Sequence, residues 1–172
     1  AGVAHVACSM DDVPGIVQRI VVEKGASCVA LANLPDGLDC AIETVCSTGN
    51  VRVLKEPYPA DSLPGSIDQA HVGVTGMAFG IAQTGTLVEI ATNDAVRLVS
   101  ALPRTHIGVV RASDLVERYE DAAPRIRALF NENAANCVVS FLSGPSRTGD
   151  IELKLTLGVH GPESAHAIIV LD

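Results

Sequence analysis

The chain has 172 residues, of which 48% are hydrophobic and only 3% aromatic, and its formal net charge is −8. The length suits a single domain over residues 1–172, and the acidic balance opposes attraction to nucleic acid or to an anionic membrane surface. Because there is no tryptophan, the core must be aliphatic, which favours an α/β sheet over a β-sandwich. No apolar run is long enough to span a membrane and the N-terminus lacks the basic flank of a signal peptide, so we predict a cytoplasmic protein. The chain begins without methionine, so we expect that a tag, a processed end or an N-terminal segment is missing before Ala1.

The first half of the chain alternates apolar runs with helical patterns. We predict strands at residues 3–8, 27–31 and 51–54, with helices from Ser9 or Asp11 to about Lys24 and at residues 37–46. This β-α-β-α-β order implies parallel strands joined by right-handed crossovers. The prolines of residues 56–65 predict a loop, which leads into a brief helix near residues 66–69.

The second half contains shorter runs that are harder to assign. We predict strands at residues 71–74, 84–91, 97–102, 105–110, 137–142 and 166–171, and a turn or single helical turn at residues 75–83. Ser113 is a predicted N-cap of a longer helix that Pro124 kinks or restarts before residues 126–133. Because some strands follow each other closely, the sheet is expected to be mixed.

The stretch that begins at Cys137 is the first candidate site. A strand buried on both faces ends at the break SGPS of residues 143–146. The residues that follow alternate as a strand would, but Thr148 is a credible N-cap, so we predict a short helix over residues 149–157. Gly144, Ser146, Arg147 and Thr148 would then crowd a strand-to-helix turn, where free N–H groups and a guanidinium suit an anion. These are also ordinary turn residues, and an arginine near an acid often forms only a local ion pair.

A second candidate turn is formed by Thr84, Gly85 and Thr86. Glycine permits close backbone approach and both hydroxyls can bind a polar ligand, although threonines are also good strand residues and a glycine can mark a bulge. We predict that the two turns converge on one pocket for a small anion or carboxylate. No catalytic residue is assigned, and the candidates for acid–base chemistry are Glu152 and His160.

The five cysteines are odd in number and form no Cys-x-x-Cys pair. This pattern argues against a disulfide framework and against a zinc or iron–sulfur site wholly within the chain. We therefore predict no metal site here.

Four ordered motifs in the last hundred residues carry a resemblance to a known family. They are GVTG at residues 73–76 with AQTGTLV at 82–88, LPRTHI at 102–107, SGPSRTGDIE at 143–152, and LGVHGP at 157–162. Together they resemble the LUD domain of lactate utilisation proteins, most closely the LutC/YkgG branch. The resemblance implies a three-layer, open, mostly parallel α/β sheet similar to the NagB/RpiA/CoA-transferase fold.

The resemblance also implies a function. It makes this chain one subunit of a three-protein, iron–sulfur-dependent system that oxidises L-lactate to pyruvate, with the clusters held by partner subunits and no cofactor in this chain. Relatives commonly carry glutamate at the position of Gln83 and alanine at that of Gly149, which questions catalysis by this chain. The alternative is a stand-alone enzyme acting on a phosphosugar, a CoA thioester or a folate. The CoA-transferase version expects a glutamate nucleophile near a glycine-rich loop; Glu89 lies on the predicted strand after Gly85, but nothing in the sequence marks it as activated.

Overall fold

The computed structural model describes residues 2–132, 137–145 and 161–171, together with the backbone of residues 147–149 and 155–157. Its helices are α1 (Val13–Glu23), α2 (Leu38–Ser47), α3 (Leu63–Ile67), α4 (Asp94–Ala101) and α5 (Ala122–Glu132). Its strands are β1 (Val3–Ala7), β2 (Cys28–Ala32), β3 (Arg52–Leu54), β4 (Val72–Gly76), β5 (Phe79–Ile81), β6 (Thr86–Ala91), β7 (Thr105–Arg111), β8 (Leu115–Val116), β9 (Val138–Leu142), β10 (Arg147–Gly149), β11 (Leu155–Leu157) and β12 (Ser164–Val170).

Six strands form a central sheet in the order β1-β12-β7-β4-β2-β3, and every neighbouring pair is parallel. Helices α1 and α2 cover one face, where Val17 and Ile42 pack with Val74 and Ile168. Helices α3 and α4 cover part of the other face over β2. The predicted three-layer, mostly parallel α/β class is therefore confirmed.

A second sheet, in the order β8-β5-β6-β9, stands on the α4 side of the central sheet. Strand β6 is antiparallel to both β5 and β9, and α5 covers this sheet through Ala122 beside Phe79 and Val88. Gly108 of β7 faces the second sheet, where an added Cβ would overlap the side chain of Leu87 in β6. Any side chain at this position would therefore require Leu87 to shift.

Three predictions in the middle of the chain are wrong. The apolar run at residues 97–102 belongs to helix α4, which Asn93 caps by accepting a hydrogen bond from Val96 N–H at 3.1 Å. The expected turn at residues 75–83 contains strand β5, and the residues after Ser113 form a 3-10 turn and strand β8 before a helix begins at Ala122. The two strands are short, and pairing with neighbouring strands overrode their local pattern.

The predicted helix over residues 149–157 is also wrong. Strands β10 and β11 pair antiparallel, with Arg147 opposite Leu157 and Gly149 opposite Leu155, so the alternating pattern was the correct reading. Strand β9 is not buried on both faces, since Phe141 is 42% exposed. The reason is that β9 is an edge strand of the second sheet. None of the helices in the described ranges is long and apolar enough to cross a membrane.

Candidate functional site

A pocket of about 900 Å³ lies between the two sheets. We call it the inter-sheet pocket. Its walls come from β1 and β12 of the central sheet, from β6 and β9 of the second sheet and from α4; they include Ala4, Thr86, Ser100, His106, Ser140, Ser143 and Ala167. The volume falls within the range of small-molecule sites, which are mostly apolar and carry a few convergent polar groups.

The two candidate turns meet at the rim of this pocket. Gly85, Thr86 and Gly144 all line it, and Thr86 Oγ1 lies 2.7 Å from Ser143 Oγ. Thr84 is exposed, and its hydroxyl is 2.7 Å from that of Thr86. A continuous row of three hydroxyls therefore joins the turns, and the role of these residues in ligand binding stays a prediction.

The turn that begins at Ser143 does not lie where a strand-to-helix turn of a parallel sheet would place it. Ser143 follows the carboxyl end of β9, but β9 runs antiparallel to β6 with Leu142 opposite Leu87. The turn therefore lies beside the amino end of β6, not at the shared carboxyl edge of parallel strands.

Several predicted site residues are described only in part or not at all. Arg147 and Thr148 lie on β10, of which the backbone alone is described. Ser146, Glu152 and His160 lie outside the described residues.

Sequence reasoning missed a row of buried polar side chains at the floor of the pocket. Glu89 on β6 is fully buried, and Ser100 on α4 donates a hydrogen bond to its Oε2 at 2.9 Å. Thr75 on β4 is 2.8 Å from His106 Nε2 on β7, and its hydroxyl also lies beside the Glu89 carboxyl group. That second contact falls short of standard hydrogen-bond geometry, so among the described residues Glu89 Oε1 is left without a partner. Four elements thus bring their polar side chains to one place.

Burial changes the proton affinity of this floor. Removal from water raises the pKa of Glu89, and the hydroxyls of Ser100 and Thr75 only partly oppose that effect. The pKa of His106 is lowered from 6.5 to about 4, mainly because the ring is buried and to a smaller extent because of its electrostatic interaction with the nearby His166. The floor therefore favours a neutral imidazole and a carboxyl group that holds its proton to higher pH than an exposed one.

Gln83 lies outside the pocket. Its Oε1 accepts a hydrogen bond from Tyr119 N–H at 3.1 Å, at the 3-10 turn before α5. A glutamate oxygen would accept the same bond. The departure from the family pattern at Gln83 thus preserves a backbone contact and removes no group from the pocket lining.

Metal-binding chemistry is not built into the described part of the chain. There, no three histidine, cysteine or acidic side chains stand close enough to hold a metal ion. All five cysteines are free thiols, and Cys28 and Cys46 are buried.

A family model described as the LUD domain matches residues 1–170. The chain belongs to the LUD domain family. The resemblance carried by the four sequence motifs is therefore confirmed. This LUD domain is 41% identical over 110 residues to lactate utilization protein C of Shouchella clausii, an alignment that covers 62% of this chain and 48% of that protein.

Two further relatives extend the comparison. Lactate utilization protein C of Anoxybacillus flavithermus is 28% identical over 156 residues, which cover 91% of this chain and 69% of that protein. A crystal structure of a DUF162 family protein from Deinococcus radiodurans superposes with a TM-score of 0.67 at 23% identity, covering 98% of this chain and 88% of that one, and supports the fold. The matched stretch spans about half the length of the first curated relatives, such as 48% of the Shouchella clausii protein.

Proposed function

We propose that this LUD domain is the ligand-binding component of an iron–sulfur-dependent L-lactate oxidation system, with the clusters in partner subunits. The names of its relatives support a role in lactate utilisation. The observation that carries the ligand-binding role is the inter-sheet pocket, whose rim is built from the two glycine-containing turns of the family motifs.

The polar groups of the pocket suit a small oxygen-rich ligand. The hydroxyls of Thr86, Ser140 and Ser143 offer donors at the rim, and Ser100 and His106 offer polar atoms at the floor. Short carboxylates such as lactate and pyruvate present several acceptor oxygens to such a lining. We propose a small monocarboxylate as the ligand.

The geometry argues against the thioester alternative. A glutamate nucleophile must reach the substrate carbonyl, but Glu89 is fully buried behind Ser100 and Thr75. A covalent step at Glu89 would require the floor to open, so we favour a binding role for this chain.

The partner proposal is tested in the native host grown on L-lactate. Affinity-tagged protein should co-purify with iron-containing subunits, and the iron should stay with those subunits when the complex is dissociated. Recovery of the tagged chain without iron-containing proteins, under conditions that preserve the complex, would refute the partner proposal.

The ligand proposal is tested by filling the pocket. Ala167 lines the pocket on β12, and Ala167→Leu should abolish calorimetrically detected binding of L-lactate or pyruvate and slow growth on L-lactate. The matched control is Val22→Leu on α1, which enlarges a side chain that is 71% exposed and should change neither. Equal binding by both folded variants would place the ligand elsewhere.

A further inference from the structure

We propose that the floor of the inter-sheet pocket is a proton-transfer site, in which His106 exchanges a proton with the pocket and Thr75 passes it to Glu89. Glu89 then serves as a proton store, and the ligand is a small carboxylate that binds together with a proton. The proposal rests on the proposed function only for this class of ligand.

The first support is a path that is hydrogen-bonded from His106 to Thr75 and lacks only a standard hydrogen bond between Thr75 and Glu89. His106 lines the pocket, and its Nε2 is 2.8 Å from Thr75 Oγ1. Because Nε2 is hydrogen-bonded to Thr75, we assign proton exchange with the pocket to Nδ1. The same Thr75 hydroxyl lies beside the Glu89 carboxyl group, so one hydroxyl connects the ring that faces the pocket with the carboxyl group behind it.

The second support is that no described residue of opposite charge is paired with Glu89. It is fully buried, its Oε2 accepts from the neutral Ser100 hydroxyl, and its Oε1 has no hydrogen-bond partner in the described part of the chain. A buried carboxylate without a cation is destabilising. If Glu89 is protonated on Oε1, that oxygen can donate a hydrogen bond to the Thr75 hydroxyl oxygen. The buried carboxyl group then carries no charge, which explains why it is tolerated there.

The groups that face this floor are few. Among the described residues, the polar side chains near Glu89 are those of Thr75 in β4, Ser100 in α4, His106 in β7 and Ser140 in β9. His166 of β12 also lines the pocket and lowers the pKa of His106, and burial lowers its own pKa as well. Arg97 of α4 also lines the pocket, but it is paired with Asp94 and half exposed. With no described cation at the floor, a proton is the natural counter-charge when an anion enters.

The transfer moves three protons, and each atom that loses a proton gives it to the next group in the row. In the ionised state, His106 Nε2–H donates to Thr75 Oγ1, and the Thr75 hydroxyl donates to the Glu89 carboxylate. A proton from the solvent or from a ligand binds to Nδ1, the Nε2 proton moves to Thr75 Oγ1, and the Thr75 proton moves to Glu89. In total Glu89 gains one proton, the imidazole ends neutral with its proton on Nδ1, and no electrons are transferred. A ring that is neutral before and after the transfer agrees with the low proton affinity that burial gives His106.

The test couples binding to protonation. Pyruvate and L-lactate are titrated into the protein at neutral pH in buffers of different ionisation enthalpy. Because an incoming carboxylate raises the proton affinity of a nearby acid, each should bind with uptake of up to about one proton. Methyl pyruvate, which carries no charge, should bind without proton uptake.

Variants separate the relay from a structural role. Glu89→Gln should abolish the proton uptake, Thr75→Val should slow or abolish it, and Thr75→Ser should restore it. Glu132→Gln, at the exposed end of α5, should behave as the wild type. Binding of pyruvate with the same proton uptake in wild type and in folded Glu89→Gln would overturn the relay while leaving the proposed ligand in place.

A ligand-independent measurement keeps the two proposals distinguishable. As the pH is lowered, infrared difference spectra of the unliganded protein should show a protonated carboxyl band that Glu89→Gln removes and Glu132→Gln does not. If the band is present and neither pyruvate nor lactate binds, the proposed ligand class is wrong and Glu89 is still the proton store. If no such band appears as the pH is lowered to the acid limit of the folded state, Glu89 is not a proton store and the relay is wrong.

Discussion

The buried His106 should make the protein less stable as the pH falls. Its pKa is lowered from 6.5 to about 4 because it is removed from water. Above pH 6.5, the pKa of His106 in the unfolded chain, the ring is neutral in both the folded and the unfolded protein and has no effect on the free energy of unfolding. Below pH 6.5 the ring binds a proton in the unfolded chain but not in the folded protein. Stability is therefore lost progressively as the pH falls from 6.5 towards about 4.

The magnitude follows from the two pKa values. Between about pH 8 and about pH 5.5 the folded protein should lose about 1.4 kcal/mol through His106 alone. The lower limit is chosen because the sequence pI is near 5.0, where an uncharged protein tends to precipitate. A loss of this size is a sizeable part of the stability of a typical domain.

The assay compares urea denaturation of the wild type and His106→Gln at both pH values. Glutamine keeps a hydrogen-bond donor near Thr75 but cannot be protonated. His166, whose pKa is also lowered by burial, is present in both proteins, so its contribution cancels in the difference. The reasoning is refuted if the folded variant loses as much stability as the wild type over this pH range.

Three other perturbations are predicted from the structure. Glu89→Gln should stabilise the protein at about pH 8 and lose this advantage near pH 4.5. The reason is that the raised pKa of Glu89 in the folded protein costs stability only at pH values where the carboxyl group of the unfolded chain is ionised. An equal effect at both pH values in thermal melts would contradict this. Gly73→Ala should destabilise by about 3 kcal/mol or more in chemical denaturation, since the new Cβ would overlap the carbonyl oxygen of Val99 in α4; a shift below about 0.5 kcal/mol would show that α4 moves away freely. Tyr58→Phe should cost about 1–3 kcal/mol, because the hydroxyl accepts from Leu31 N–H at 3.2 Å and lies 2.8 Å from the Leu31 carbonyl oxygen; unchanged stability would show that water replaces it.

The inner strands β2, β4 and β7 of the central sheet were predictable from the sequence because they are buried on both faces. Strands β2 and β4 are buried throughout, so they read as apolar runs bounded by turns or helices. The same rule gave a wrong prediction for helix α4, because residues 97–102 form a short apolar run that resembles a buried strand. The cap at Asn93 followed by Asp94 was the signal that distinguished the helix.

The rim of the pocket was predictable and its floor was not. The two turns are each recognisable from glycine and hydroxyl residues close in sequence. In contrast, Glu89, Ser100, Thr75 and His106 come from four elements, and each alone fits an ordinary position of its strand or helix. Only the packing of α4 and β6 against the central sheet brings them together, so no local pattern marks them.

Part of the pocket's space comes from small side chains on one face of β1 and β12. Ala4, Ala165 and Ala167 line the pocket together with the larger Ile169, whereas Ile168 and Val170 alternate to the opposite face and pack into the core under α1. Enlarging Ala167 therefore fills empty space without displacing core atoms, while Ile168→Ala would open a cavity that costs about 2–5 kcal/mol. Loss of ligand binding in an Ala167→Leu protein of unchanged stability would consequently be assigned to the pocket and not to the fold.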